Sequence, residues 1–214
     1  MNPVPPNPET IPGKCLDDDM LWSYLHGDLD PAEALLVATH YQMSVHARQR
    51  LELLNRCAAT ILDEVSPVAM SCCPIEFLAK RCKGQQVKKE VPVVQCMSSE
   101  IPKSLQPYVD KSFASLSWEP FMPGIDSYPL KVEGAKVDIR LMRVKDKTQI
   151  FEHGHTDDET VLILKGSVID GEMHYMAGDV MLYREKHHKG RTHAPFVVEE
   201  CICLVTSRGE IIVV

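Results

Sequence analysis

Apolar and polar residues alternate with two different periods along this chain of 214 residues. From Asp17 to about Gly84, apolar residues recur in steps of three and four, which is the spacing of one inward helix face. From about Trp118 onward, short β-rich runs are bounded by Gly, Asp and His, as in KVDIRLMRV (136–144) and TVLILKG (160–166). The pattern therefore predicts a helical first half followed by a sheet.

Capping residues divide the helical half. A first helix is predicted to end at Gly27, and a second to begin at Asp30, which can cap it, with Pro31 at the first helical position. The apolar stripe of the second helix continues in steps of three and four to Val65. The sequence therefore predicts one long helix that ends near Ser66, before a proline.

Composition and charge narrow the class of protein. The net charge is −7 and no basic patch is visible, which argues against a nucleic-acid partner. No apolar run approaches the roughly 20 residues that span a membrane, and the proline-rich N-terminus does not resemble a signal peptide. The 8 cysteines form no CxxC pair and are expected to be thiols in a reducing compartment. We therefore expect a cytoplasmic protein that binds a basic protein surface or a small molecule.

The segment HGHTDDE contains a candidate metal site. In an extended strand His153 and His155 point to the same side, and Glu159 can fold back toward them after a short turn. The spacing to Gly166 gives His-x-His-x3-Glu-x6-Gly, which resembles the first motif of the cupin family. Lys147 stands where that motif has its leading glycine.

A second cupin-like motif supplies the fourth candidate ligand. The run HKGRTH resembles the form Pro-x-Gly-x-x-His, with His188 in place of the proline and His193 at the end. The loop before His193 is longer than the usual cupin spacing, so His187 and His188 stay open as alternatives. Three imidazoles and one carboxylate suit one divalent transition metal; zinc is favoured, and iron, manganese and nickel are alternatives. The predicted ligands are His153, His155, Glu159 and His193.

The order of the two halves resembles the ChrR-type anti-sigma factors. The resemblance rests on DMLWSYLHGDLDPAEALLVATH in the first half and on HGH, ETVLILKG, AGDV and CICLV in the second. It implies a multidomain α + β fold, in which a small N-terminal helical bundle precedes an all-β cupin, a double-stranded β-helix or jelly-roll-like barrel. The expected parts are an extended or disordered N-terminus (1–14), a helical anti-sigma-like domain whose last helix spans 74–84 (15–84), a linker joining the sheet (85–117) and the cupin domain (118–214).

The resemblance also implies a function. In this family the helical domain sequesters an extracytoplasmic-function-type sigma factor, and the metal-binding cupin domain is needed to release it under oxidative stress such as singlet oxygen or organic peroxide. We therefore expect a transcription regulator rather than an enzyme, with a sigma factor as partner and a small molecule or oxidant as candidate ligand of the cupin metal. Two alternatives stay open: a metal-dependent cupin oxygenase, isomerase or hydrolase, and a ligand-binding cupin whose helices form a homodimer.

The helical half departs from the family pattern at its zinc site, where the family has an upstream histidine and a His-x3-Cys-x2-Cys helix. His40 is retained, but Cys15 stands at the upstream position, and Ser44 and Ala47 replace the two cysteines. A hydroxyl is a poor zinc ligand and a methyl group is none. This degenerate site is therefore predicted to be empty.

Two cysteines in the second half form a candidate redox pair. Cys201 and Cys203 are predicted to lie on the same face of one strand. Packing in the core is the simpler interpretation, and redox sensing is the functional one. No acid–base pair stands out beside the predicted ligands, so no catalytic residue is predicted.

Overall fold

The computed structural model describes residues 14–68, 100–109, 112–188 and 190–213. The helix predicted over 74–84 and nearly all of the predicted N-terminal extension therefore lie outside the described residues. No described helix is both long and apolar enough to cross a membrane.

Three helices open the described chain: α1 (Asp18–His26), α2 (Pro31–Met43) and α3 (Val45–Asp63). Asp17 caps α1 by accepting a hydrogen bond from the Met20 amide at 2.9 Å, and Gly27 ends it with φ 75°. Asp30 caps α2 through the Ala32 amide. The predicted end of the first helix and the start of the second are confirmed.

The prediction of a single helix from Asp30 to Val65 is wrong, because the helix is interrupted at Ser44. Ser44 is extended (φ −110°, ψ 125°), ends α2 and caps α3 by accepting a hydrogen bond from the Ala47 amide at 3.3 Å. Serine competes with the helix for backbone hydrogen bonds and therefore favours caps over helix interiors. Ala47 and Leu51 are the two buried residues of α3.

The segment predicted as a linker takes part in the core where it is described. It contains two short 3-10 helices, Lys103–Leu105 and Phe113–Ser115. The side chains of Leu105, Val109 and Phe113 are almost completely buried, in the same apolar cluster as residues of α1 and α2. These residues therefore help to attach the helices to the sheet.

Nine strands lie in the described part of the chain, and six of them, β3, β4, β5, β7, β8 and β9, coincide with runs that the sequence predicts as strands, whereas β1, β2 and β6 were not predicted individually. Seven of them form an antiparallel sheet in the order β1-β2-β3-β8-β5-β6, with β7 also paired to β5, whereas β4 pairs with β9 in a second sheet. They are β1 (Glu119–Met122), β2 (Ile125–Pro129), β3 (Asp138–Val144), β4 (His153–His155), β5 (Glu159–Asp170), β6 (Met173–Met176), β7 (Val180–Tyr183), β8 (Phe196–Ser207) and β9 (Ile211–Val213).

The two central strands, β5 and β8, are buried on both faces. Ile163 and Cys203 belong to an interior cluster formed only by residues of the β part. Their neighbours Leu162 and Leu204 point the other way and belong to the cluster shared with the helices. This alternation explains why both strands contain long runs of buried residues, and it places the helices on the outer face of the sheet.

Gly166 allows the backbones of β5 and β8 to approach closely where their register shifts. It has φ 80°, and a Cβ at this position would lie 2.3 Å from the carbonyl oxygen of Glu200. Only glycine fits such a contact. The glycine that ends the His-x-His-x3-Glu-x6-Gly motif therefore has a structural role.

Candidate metal centre

Backbone pairing brings the two histidine motifs together. His153 and His155 lie on β4, and His193 lies just before β8. The amide of His153 donates to the carbonyl of His193 at 3.0 Å, and the amide of His193 donates to the carbonyl of His153 at 2.9 Å. These two bonds place the three imidazoles on neighbouring backbone segments.

The three imidazoles form the candidate ligand cluster of the described residues. Each offers one ring nitrogen, and these nitrogens all lie within 4.8 Å of one another. Nε2 of His155 is 3.0 Å from Nε2 of His193. Two nitrogens bound at about 2.1 Å to one metal ion are separated by about 3.0 to 3.4 Å, so this spacing fits a shared metal.

His153 is prepared to bind metal through its outer nitrogen. Its Nδ1–H donates to the carbonyl oxygen of Phe151 at 2.9 Å, which leaves Nε2 with a free lone pair. Burial lowers the pKa of His153, although the hydrogen bond to Phe151 acts in the opposite direction. The neutral ring that results is the form that binds a metal ion.

Asp170 and Tyr183 orient His193. The Asp170 carboxylate accepts a hydrogen bond from Nδ1 of His193 at 3.0 Å and a second one from the Tyr183 hydroxyl. Burial raises the pKa of Asp170, but the hydrogen bonds from His193 and Tyr183 outweigh it and hold this pKa below its usual range. The aspartate is therefore ionised and directs Nε2 of His193 toward the other two rings.

Glu159 lies beside the cluster but outside it. Its carboxylate is 3.7 Å from Nδ1 of His155, the nitrogen on the far side of that ring from His193. Burial raises the pKa of Glu159 to about 7, and the charge of Arg140 offsets this only in part. A nearby divalent cation would favour the ionised form of such a buried carboxylate. A ligand role for Glu159 stays a prediction.

The alternative fourth ligand, His188, ends a short helix, α4 (Glu185–His188). Its side chain lies outside the described part of the structure, and the neighbouring His187 is exposed. His193 is the histidine of the second motif that contacts the other two rings.

The cluster lies between an apolar cavity and a polar cleft. The inner cavity, of about 80 Å³, is lined by Met142, Cys203 and other apolar side chains, and Glu159 also borders it. The outer cleft, of about 560 Å³, is lined both by His155 and by Asp17, which precedes α1. Both spaces reach His193 and Tyr183. A ligand at the histidines would therefore also be near the helical part.

The degenerate helical site does not fit zinc. Ser44 uses its side-chain oxygen to cap α3, and Ala47 is buried in the core. Burial, and secondarily the charge of Asp179, raises the pKa of Cys15, which disfavours the thiolate that zinc requires. His40 is fully buried, and neither ring nitrogen has a hydrogen-bond partner among the described residues. One histidine and one thiol are too few donors for a structural zinc site.

The candidate redox pair lies in the interior of the sheet. Cys201 and Cys203 are both buried, and their Sγ atoms are 3.4 Å apart. The hydrogen bond with Cys201, together with burial, raises the pKa of the Cys203 thiol. The Cys203 thiol is therefore neutral near pH 7.

Asp170 and Tyr183 contact His193 although the sequence did not predict them as partners of the histidines. Asp170 precedes Gly171 at the end of β5, where the pair indicates only a turn. Tyr183 ends a short apolar strand. The contact of both with His193 follows from the pairing of β5 with β7 and β8, which the local sequence does not show.

The described residues form an antiparallel β fold that contains a histidine cluster and has a helical layer on its outer face. This arrangement is that of a cupin-like protein with an N-terminal helical extension. Residues 109–211 match the family of ChrR cupin-like domains. The chain is also 25% identical over 194 residues to the anti-sigma-E factor ChrR of Cereibacter sphaeroides, which covers 90% of this chain and 88% of that protein. The resemblance to ChrR-type proteins is therefore confirmed.

A solved structure extends this likeness to both halves of the chain. The match is to ChrR in the crystal structure of Rhodobacter sphaeroides SigE in complex with the anti-sigma ChrR, at 23% identity and a TM-score of 0.71. The match covers 91% of this chain and 98% of the other. The two chains share a fold of N-terminal helices and a cupin-like β part.

We predict that Asp170→Ala weakens zinc binding about 10- to 100-fold, because His193 loses the partner that orients it. Competition with a chromophoric chelator measures the affinity. Asp146→Ala, which removes an exposed carboxylate from a turn away from the cluster, is the control and should bind zinc like the wild type. Equal affinity of all three proteins would contradict the role given to Asp170.

We predict that His40 makes the fold sensitive to acid. Burial lowers its pKa from 6.5 to about 4, and the Asp179 carboxylate offsets this only in part. Because the unfolded chain takes up the proton first, the contribution to stability is present above pH 6.5 and lost as the pH falls to about 4. The loss should be about 3 kcal/mol.

Urea unfolding at several pH values measures this effect. His40→Leu replaces the imidazole with an apolar side chain of similar size that does not titrate, so it should lose less stability between pH 6.5 and 4 than the wild type. The other titrating groups are common to both proteins, so the difference reports His40. Parallel pH profiles would show that His40 does not titrate in this range.

Proposed function

We propose that this protein is an anti-sigma factor. Its helical part sequesters an extracytoplasmic-function-type sigma factor, and a metal centre in its cupin-like part senses an oxidative signal. The observation that carries the proposal is that the match to the anti-sigma ChrR includes both the helices and the β part, over 98% of that chain. Regulation rather than catalysis is proposed because this relative is an anti-sigma factor.

The exposed C-terminal end of α3 supports the binding of a protein partner. Ile61 and Leu62 are 59% and 70% exposed, and Val65 just beyond the helix is 61% exposed. Large apolar side chains grouped on one exposed helix are typical of a protein interface. We therefore place the sigma-factor contact on the C-terminal half of α3.

One divalent metal ion is proposed as the cofactor, held by His153, His155 and His193 with Glu159 as the fourth ligand. Zinc is favoured for this donor set, with iron, manganese and nickel as alternatives. When bound, the metal would offer an exchangeable position to water or a small oxidant. The chain itself supplies two rings, His153 oriented by Phe151 and His193 oriented by Asp170, and the cleft through which a ligand enters.

The oxidative signal could also act on Cys201 and Cys203. Their sulfur atoms are close enough for a disulfide to form with a small movement, and Cys203 borders the inner cavity. We propose that an organic peroxide reaching this cavity oxidises the pair: the two thiols lose two electrons and two protons and form a disulfide, and the peroxide is reduced to an alcohol and water. A disulfide on the inner face of β8 would shift this strand, and the other face of β8 packs against the helices.

The finer description of the fold is also a proposal. We propose that the strands form the double-stranded β-helix of cupins. We place the division between the helical and cupin domains within residues 85–117. An anti-sigma factor of this kind acts in the cytoplasm, and we assign the protein to that compartment.

Binding of the extracytoplasmic-function-type sigma factor encoded next to the gene tests the function. We predict that the pair co-purifies and that Leu62→Glu weakens the complex at least about 10-fold, because a charge replaces an apolar contact. Ala59→Glu adds the same charge at an exposed position of the same helix without removing a large side chain, so its loss should be smaller. Absence of a complex with the wild type would overturn the proposed function.

A further inference from the structure

Asp158 connects the candidate metal centre with the rest of the fold. It lies between His155 and Glu159, and its two carboxylate oxygens accept hydrogen bonds from Nη1 of Arg184 and from the amide of Glu185, each at 2.8 Å. The carbonyl oxygen of Asp158 also accepts a hydrogen bond from the amide of Arg208 at 3.1 Å. A shift of the segment from His155 to Glu159 would therefore disturb the hydrogen bonds that Asp158 makes with Arg184 and Arg208.

Arg184 links that segment to the start of α1. Its Nε and Nη2 donate to the carboxylate of Asp17 at 3.0 and 3.3 Å, while Nη1 holds Asp158. The Arg184 side chain is only 13% exposed, so these ion pairs are less screened than surface pairs. Arg184 also follows Tyr183, which contacts His193. Arg184 is therefore linked to the metal centre in two ways. It binds Asp158, which lies between two predicted ligands, and it follows Tyr183, which contacts His193.

Arg208 makes a parallel link to α2. Its Nε and Nη2 donate to the two carboxylate oxygens of Glu33 at 2.9 and 2.7 Å. Glu33 is almost completely buried, with 6% of its side chain exposed. A paired, forked arginine of this kind fixes geometry as well as charge. Two arginines from the β part thus hold the beginnings of α1 and α2.

We propose that Arg184 and Arg208 couple metal occupancy at the histidine cluster to the docking of α1 and α2 on the sheet. A bound metal fixes the segment from His155 to Glu159. Asp158 then holds Arg184 in the position that reaches Asp17, and α1 is held firmly. When the segment moves, this link loosens. The inference rests on the proposed metal centre but not on the identity of the protein partner.

The degenerate helical site does not fit a zinc ion that could join the helices to one another. Its residues are Cys15, His40, Ser44 and Ala47. The helices are instead held by packing on the sheet and by the two arginine links. The stability of the helical layer is therefore tied to the state of the cupin part.

Hydrogen exchange of the full chain, with zinc and with a chelator, tests this inference. We expect zinc to slow the exchange of α1 amides by about 5-fold or more in the wild type. In Asp17→Asn the ratio of the α1 exchange rates without and with zinc should approach 1. Asparagine keeps the cap to Met20 but loses the ion pair with Arg184. Asp19→Asn, on the exposed side of the same turn, should keep the wild-type ratio.

The second link has its own variant. Glu33→Gln should reduce the effect of zinc on the α2 amides and leave the effect on α1 largely in place. Because coupling is reciprocal, zinc affinity should fall in Asp17→Asn by the same factor by which the protection falls. If Asp17 and Glu33 only stabilised the fold, their substitution would accelerate hydrogen exchange by the same factor with and without zinc.

The outcomes separate this inference from the proposed function. If zinc binds at the histidines and protects α1 equally in the wild type and in Asp17→Asn, the coupling is wrong and the metal centre stands. If the wild type binds no zinc at the histidines, the metal centre and the coupling both fail. Because no sigma factor is present, the measurement does not depend on partner binding.

Discussion

The burial of β5 and β8 on both faces is the constraint on which the structure depends. One face of these strands forms the interior beside the histidine cluster, and the other supports α1 and α2. A residue such as Cys203 points inward while its neighbour Leu204 points toward the helices. A displacement of β8 caused by a change inside the β part would therefore also move the surface that holds the helices. The sheet is therefore a physical connection between the histidine cluster and the helical layer.

The absence of a suitable zinc site among the described helices changes how the helical layer is stabilised. Here Ser44 has become a helix cap and Ala47 a packing residue, so the break between α2 and α3 is defined by hydrogen bonding. Two arginines from the β part and an apolar contact with the sheet hold the layer instead. The fold can thus keep the ChrR-type arrangement with a different set of interactions.

Much of the fold could be predicted from the sequence, because capping and periodicity are local. Asp17, Gly27 and Asp30 define helix ends through bonds within a few residues, and the spacing of His153, His155 and Gly166 indicates a β motif. The break at Ser44 was missed because the apolar stripe continues across it. The stripe describes which residues face inward, whereas a cap depends on a single side-chain hydrogen bond.

The ligand candidates were found in the sequence, but their supporting residues were not. His153 and His193 belong to recognisable motifs, whereas Asp170, Tyr183 and Arg184 have no distinctive local pattern. Their roles come from the pairing of β5 with β7 and β8 and from the approach of α1. Contacts between residues distant in the chain depend on the tertiary fold, and one sequence without that fold does not show them.

Metal analysis of the purified protein tests most directly the claim that the cupin-like part holds the single metal centre. After saturation with zinc and removal of excess metal, one zinc ion per chain should remain, be lost in His153→Ala and be retained in His40→Ala. Two zinc ions per chain, or one that is lost in His40→Ala and retained in His153→Ala, would contradict the account.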